Sequence, residues 1–152
     1  MKRQLLFLCE IDKVKSVRRH TLLMDGSRRE NDAEHAWHLT VMALIFSELS
    51  RTRRLNQLTV LKMLLVHDIV EIDCGDVFLY DVKKRAAGKP LEKKAARRIF
   101  GLLPPDQAHE YYNLWREFEE RKTPEARFAA AIDRFQPVLH NYKTRGKVWR
   151  RA

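Results

Sequence analysis

The chain has 152 residues, 45% of them hydrophobic, with 30 Lys and Arg against 20 Asp and Glu and a formal charge of +10. That arithmetic describes one globular domain over residues 1–152, long enough to bury roughly two-thirds of its unfolded surface and in need of neither disulfides nor a structural metal. The charge points to an anionic partner without deciding between nucleic acid, a membrane surface and a small phosphate.

Cys9 and Cys74 lack the paired spacing of a disulfide framework or a zinc ribbon, and fit a reducing compartment, the cytosol. At the start the apolar run covers only Leu5 to Cys9 before Glu10 interrupts it. A leader needs roughly 7–15 apolar residues, so this segment reads as the first helix. No stretch approaches the roughly 20 apolar residues that span a bilayer.

With little polar/apolar alternation, the pattern predicts an all-α fold of about six helices. The first runs from Lys2 to Lys15, and a polar segment, Ser16 to Glu30, follows. Asn31-Asp32-Ala33-Glu34 has the spacing of a capping box and opens a helix to Ser50. Trp37, Val41, Leu44, Ile45 and Leu49 fall at three- and four-residue steps and are expected to pack in the core. The third helix, Asn56 to Asp73, repeats this with Leu58, Leu61, Leu65, Ile69 and Ile72, and stops at Cys74-Gly75-Asp76. Val77 to Pro90, with the basic run Lys83-Lys84-Arg85, reads as a surface loop or lid. A basic helix spans Leu91 to Leu103. After Pro104-Pro105 another helix reaches Lys122, with Tyr111, Leu114, Trp115 and Phe118 on one side. Thr123-Pro124 opens the last helix, whose stripe is Phe128, Ile132, Phe135, Leu139 and Tyr142. The sequence shows no internal repeat and no linker.

Several residues do not belong to a core. His67 and Asp68 interrupt an apolar helix, and Glu71 follows four residues after the His. Val60, Leu64, His67 and Glu71 form one row, so His67 and Glu71 should point inward. A buried carboxylate costs several kcal/mol unless a metal or another charge meets it. His35 lies one turn into the second helix. Asp133 follows Ala129, Ala130 and Ala131, which leave room for an ion. Pro137, four residues on, cannot donate to the carbonyl of Asp133, so a kink is expected there. Imidazole with carboxylate suits Mn, Fe, Co or Ni, while the lack of thiolates argues against structural zinc.

The order His35, His67-Asp68, Asp133 resembles the H…HD…D signature of the HD-domain metal-dependent phosphohydrolases. Arg28-Arg-Glu-Asn-Asp-Ala-Glu-His35-Ala-Trp-His38 is similar to the R-x-E-N-x-A-E-H-S-W-x segment of the branch containing the 5′-deoxynucleotidases. Val66-His-Asp-Ile-Val-Glu71-Ile-Asp-Cys-Gly-Asp76 resembles that branch's H-D-x-x-E-x-x-x-G-D segment. The match runs from Asp12 to Tyr142. It implies a single HD-domain helical bundle and a divalent cation (Mn, Co, Ni, Fe, Mg or Zn) held by His35, His67, Asp68 and Asp133. By the same resemblance Glu71 and Asp76 position the attacking water and manage protons, in either assignment, and Arg19, with Arg18, contacts the phosphate. A Trp that favours 2′-deoxyribose in the bacterial enzyme is His20 here. The resemblance also implies a (deoxy)nucleoside monophosphate substrate and a homodimer, and a C-terminal helix beyond residue 152 is common in the branch.

Two rival readings stand beside this one. The same scaffold serves many substrates, so another nucleotide, a nucleoside polyphosphate or a small phosphorylated metabolite is the first. The second is a basic nucleic-acid-binding protein, drawing on Arg51 to Arg54, Lys93-Lys94, Arg97-Arg98 and Arg145 to Arg151. The absence of a recognised binding motif and of interleaved aromatics argues against it.

Overall fold

The computed structural model describes residues 1–49, 55–76 and 82–151. Helix α1 (Lys2–Ile11) passes into a 3-10 turn, Asp12–Ser16, and then a hairpin of β1 (Arg18–Leu22) and β2 (Arg29–Asn31). Helices α2 (Asp32–Phe46), α3 (Gln57–Val66), the single-turn α4 (Glu71–Cys74), α5 (Val82–Phe100), α6 (Pro105–Glu120) and α7 (Pro124–Lys143) follow. The fold is therefore helical, as the sequence indicates, with one small antiparallel ribbon added.

That ribbon replaces the polar segment expected between Ser16 and Glu30. Arg18 pairs with Asn31 and Leu22 with Arg29, with an irregular register between them. Asp25-Gly26 forms its turn, where Gly26 takes a φ of 73° that a side chain would resist. The capping box forms as read: the Asn31 side chain accepts from the Glu34 amide at 2.9 Å, and the Asn31 amide donates to Glu34 Oε2 at 3.2 Å. It fixes where α2 begins, and hence the position of His35 one turn on.

Helix α3 packs against α2, α6 and α7, and its Met63 and Leu64 are wholly buried. Around them lie Leu39, Met42 and Ala43 of α2, Ile99 and Phe100 of α5, Leu114, Trp115 and Phe118 of α6, and Ala126, Ala129, Ala130 and Ile132 of α7. The three alanines between Ala126 and Ala130 that face this core let α7 approach closely. Helix α1 contributes Phe7, whose ring lies 6.4 Å from that of Phe100 and 6.3 Å from that of Tyr111.

The core stripes of α2, α3 and α7 are corrected by the structure. Trp37, Leu44 and Ile45 are 67%, 49% and 64% exposed, and Leu58, Leu65, Phe135 and Tyr142 are exposed too. These helices carry apolar residues on more than one face, so periodicity alone has two solutions. The polar residues choose between them: the phase that buries His35 also buries Leu39 and Met42. Other boundaries shift as well. The helix expected over Asn56 to Asp73 is broken by a 3-10 turn, His67–Val70, and α5 begins at Val82, running through Pro90 where a loop was expected. The remainder of that loop, the side chain of Leu49, Ser50 and the basic run Arg51 to Arg54 lie outside the described residues. Helix α7 continues through Pro137. No helix among the described residues is long and apolar enough to cross a membrane.

Candidate metal centre and phosphate cavity

Four side chains from three segments converge beside a cavity of about 470 Å³, a size suited to a small molecule; His67, Asp68 and Asp133 line it and His35 is fully buried behind them. His35 comes from the first turn of α2, His67 and Asp68 from the 3-10 turn, and Asp133 from the middle of α7. His35 Nε2 lies 3.1 Å from Asp133 Oδ1 and 3.8 Å from Asp68 Oδ2. His67 Nε2 lies 3.0 Å from Asp68 Oδ2 and 3.7 Å from Asp133 Oδ1. The 3-10 turn matters here, because its tighter winding turns the adjacent His67 and Asp68 toward one point.

The donor set fits a divalent cation. His67 Nδ1 donates to the Leu64 carbonyl at 3.0 Å, which leaves the lone pair of Nε2 facing the carboxylates. That buried nitrogen has no hydrogen-bond partner: it stands beside Asp68 Oδ2, off the line of a hydrogen bond. Neighbouring ligands of one ion bonded at about 2.1 Å are spaced at about this distance. Nitrogen and oxygen donors without thiolate suit a first-row divalent ion.

Without a cation, protons and charges compensate each other. Burial opposes the charged form of His67, but Asp68 and Asp133 overcome it and push its pKa up to about 10. His35 is raised as well: burial and Arg19 work against this, and the carboxylates of Asp133 and Glu30 prevail. Asp68 and Asp133 are held below the usual carboxylate range by the two imidazoles, against the effect of burial.

Arg19 reaches the site from β1, while the strand alternation turns Arg18 outward. Arg19 Nη1 lies 2.6 Å from Asp68 Oδ2 and 3.0 Å from Asp32 Oδ1, and the residue lines the cavity. Arg18 is exposed, with Nη1 3.5 Å from the Arg29 carbonyl, and is not among the cavity's lining residues; of the two arginines expected at the phosphate, the fold brings only Arg19 to the cavity. Glu71 lines the same cavity, and burial first, then the charges of Asp68 and Asp32, hold its carboxyl well above the ordinary range. Asp76, beyond Gly75, accepts the His20 amide through Oδ2 at 2.9 Å. His20 itself lines the cavity, as do Arg134 and Trp149.

Sequence reasoning missed four polar residues around this centre. Asp32, Glu30 and Gln136 are at most 1% exposed and His140 is 3% exposed. Gln136 and His140 lie three and seven residues after Asp133, so helical spacing put them on the same flank. Glu30 and Asp32 sit at the junction of β2 and α2; in the sequence Glu30 reads as the end of a polar segment and Asp32 only as part of a capping box.

The protein family whose model matches residues 11–152 is described as HD domain. Among curated proteins, a 5′-deoxynucleotidase of Danio rerio is 30% identical over 94% of this chain and 71% of its own length. That of Homo sapiens is 31% identical over 74% of this chain and 53% of its own length, so the chain spans about half of the human relative. Among solved structures, a protein of Magnetospirillum magnetotacticum described as a predicted metal-dependent phosphohydrolase is 54% identical, with a TM-score of 0.88 over 93% of this chain and 70% of the other.

Proposed function

The chain belongs to the HD-domain family, on the branch whose curated members are named 5′-deoxynucleotidases, and on that premise we propose that it is a divalent-metal-dependent phosphohydrolase acting on (deoxy)nucleoside 5′-monophosphates. The observation that carries the reading is the cluster of His35, His67, Asp68 and Asp133 beside Arg19, of which all but the fully buried His35 line one cavity. Those four residues would hold the cation. A divalent ion supplies a Lewis acid for a phosphoryl oxygen and makes water a better nucleophile at neutral pH.

The chain's own groups do the rest. Arg19 offers a guanidinium to the phosphate oxygens, whose geometry matches its fork. Its present partner Asp68 is one of the metal-ligand candidates, so with Asp68 turned to a cation the Arg19 guanidinium would be available to substrate. Glu71, whose carboxyl burial and the charges of Asp68 and Asp32 hold well above the ordinary range, is the group that would exchange a proton with the attacking water. Asp76, fixed by the His20 amide, faces the same cavity and would assist the leaving 5′-oxygen; the two acids can also serve in the reverse order. His20, in the place of the sugar-packing Trp, sets the deoxy/ribo preference.

The reading extends to assembly and place. Trp37, Leu44 and Ile45 of α2 and Phe135 and Tyr142 of α7 are exposed, and the two helices pack together, which supports a homodimer built on these helices. The free cysteines fit the cytosol.

Phosphate release from a panel of deoxy- and ribonucleoside 5′-monophosphates tests the proposal, after chelation and single addition of Mn, Co, Ni, Mg or Zn. Metal-dependent release that Asp68→Ala abolishes is expected. No release with any ion in the panel would refute the reading.

A further inference from the structure

The hairpin and the far end of α7 form a buried polar chain behind the metal centre that the proposed reaction does not use. Glu30, in β2, is 1% exposed, and a carboxylate so placed needs a partner for each oxygen. Its Oε1 accepts from Gln136 Nε2 at 2.6 Å. Gln136 Nε2 also lies 2.9 Å from His140 Nε2, and His140 Nδ1 lies 2.8 Å from the Leu22 carbonyl of β1.

The hydrogens in this chain can be assigned one by one. A carbonyl only accepts, so His140 Nδ1 carries the proton and its Nε2 presents a lone pair. The two amide hydrogens of Gln136 then go to His140 Nε2 and Glu30 Oε1. Glu30 becomes an acceptor held from one side, and its other oxygen is aimed at the metal centre. Oε2 lies 3.5 Å from His35 Nδ1 and 3.8 Å from Arg19 Nε; none of these three buried atoms has a hydrogen-bond partner, and Nδ1 is the ring nitrogen opposite the one that faces Asp133.

Resting on the metal reading of His35, we infer that Glu30 is the positioning residue of that ligand and that Gln136 and His140 hold Glu30 in place. With His35 ligating through Nε2, its Nδ1 carries the proton, and Glu30 Oε2 is the carboxylate oxygen that stands 3.5 Å from it to receive that proton's hydrogen bond, the place that the Leu64 carbonyl already fills for His67 at 3.0 Å. The two ligands thus have different outer partners. A carboxylate orients an imidazole and also makes it a more basic donor, so His35 is the stronger of the two nitrogen ligands. His38 Nδ1, 3.4 Å from both Gln136 Nε2 and His140 Nε2, borders the chain from α2. Although Glu30, His38 and His140 offer ligand atoms within 4.8 Å of one another, the Gln136 amide lies among them, so this cluster is a hydrogen-bonded support and not a second ion site.

The test is a titration of chelator-treated full-length protein with Mn²⁺ by calorimetry and with Co²⁺ by its visible spectrum. Wild type is compared with Glu30→Gln, Gln136→Met and His140→Phe. Loss of such an outer partner typically weakens metal binding about 10–100-fold. That loss is expected for Glu30→Gln, with a smaller loss in the same direction for the other two and an altered Co²⁺ spectrum for all three. Melting temperatures of the metal-free variants separate this from a purely structural role. A lowered melting temperature with unchanged Kd in the folded protein would overturn the inference, as would unchanged Kd throughout. Should Glu30→Gln not fold, Gln136→Met decides by the same criteria. Wild type that binds no divalent ion overturns both this inference and the metal reading, whereas binding without phosphate release overturns only the proposed activity.

Discussion

Between Asp68 and Asp133, His67 is a proton trap in the metal-free protein. Its pKa is 6.5 ordinarily and about 10 in the fold, so the folded chain binds the proton more tightly than the unfolded one. The stability this confers is complete below about pH 6.5 and is lost as pH rises through about 10. In chelator, the melting temperature should therefore fall across that window, and His67→Gln should flatten the decline; an undiminished slope in the variant would contradict the assignment. A cation displaces the same proton, so Mn²⁺ affinity should rise over that range, with proton release measurable in buffers of different ionisation enthalpy. Asp32 poses a second question at this scale. It is buried against Arg19, and burial followed by the charge of Asp68 raises its pKa to about 6 in spite of that arginine. Once a cation engages Asp68, Asp32 is left to hold Arg19. Charge-assisted hydrogen bonds are worth about 1.5–3 kcal/mol, so Asp32→Asn should raise KM for a nucleoside monophosphate about tenfold, with a matching loss of inhibition by inorganic phosphate and a smaller change in kcat. An unchanged KM would show that Arg19 needs no such support.

The elements carry the site by where they begin and break. Helix α2 starts at Asn31, and the capping box is reinforced by Arg28, whose Nη1 and Nη2 reach Glu34 at 2.9 and 2.6 Å. Removing such a cap costs about 1 kcal/mol. Asn31→Ala should lower stability by about that amount in urea unfolding and weaken Mn²⁺ binding as well, because His35 lies in the first turn; loss of stability with intact metal affinity would show that the turn is held by packing alone. This cap was legible in the sequence because its chemistry is local. His35, His67, Asp68 and Asp133 were each conspicuous as polar residues inside apolar helices, and it was the resemblance to the H…HD…D signature that grouped them. The hairpin was not legible: its strands are short and mostly polar, and only Asp25-Gly26 signals the turn. Nor was the break after Val66, because the residues of the 3-10 turn carry no breaker and their tighter winding is imposed by what surrounds them. Glu30 and Gln136 escaped for a related reason. Each is ordinary in its own segment and becomes functional only through a contact 106 positions away in sequence.

At the scale of the whole molecule, the apolar residues that the core does not use need an explanation. Trp37, Leu44 and Ile45 of α2 and Phe135 and Tyr142 of α7 are exposed, and the rings of Phe46 and Phe135 meet edge to face at 5.9 Å, joining the two helices. Contiguous apolar surface is unusual on a monomer and commonly marks an interface. The same ambiguity of phase that misplaces the core stripes in the sequence is what the proposed homodimer would require, one face for the core and one for a second copy. A two-fold interface places each residue against the same patch of its partner, so one introduced charge enters twice. Ile45→Glu and Phe135→Glu should therefore convert a dimer to a folded monomer in sedimentation velocity, while Leu58→Glu, on α3 outside this patch, should not. Because His35 and Asp133 lie on the opposite, buried flanks of these helices, the monomeric variants should keep wild-type Mn²⁺ affinity. A wild-type chain that sediments as a monomer at micromolar concentration would refute the interface, and a loss of metal binding on dissociation would show that the partner braces α2 and α7 around the metal centre.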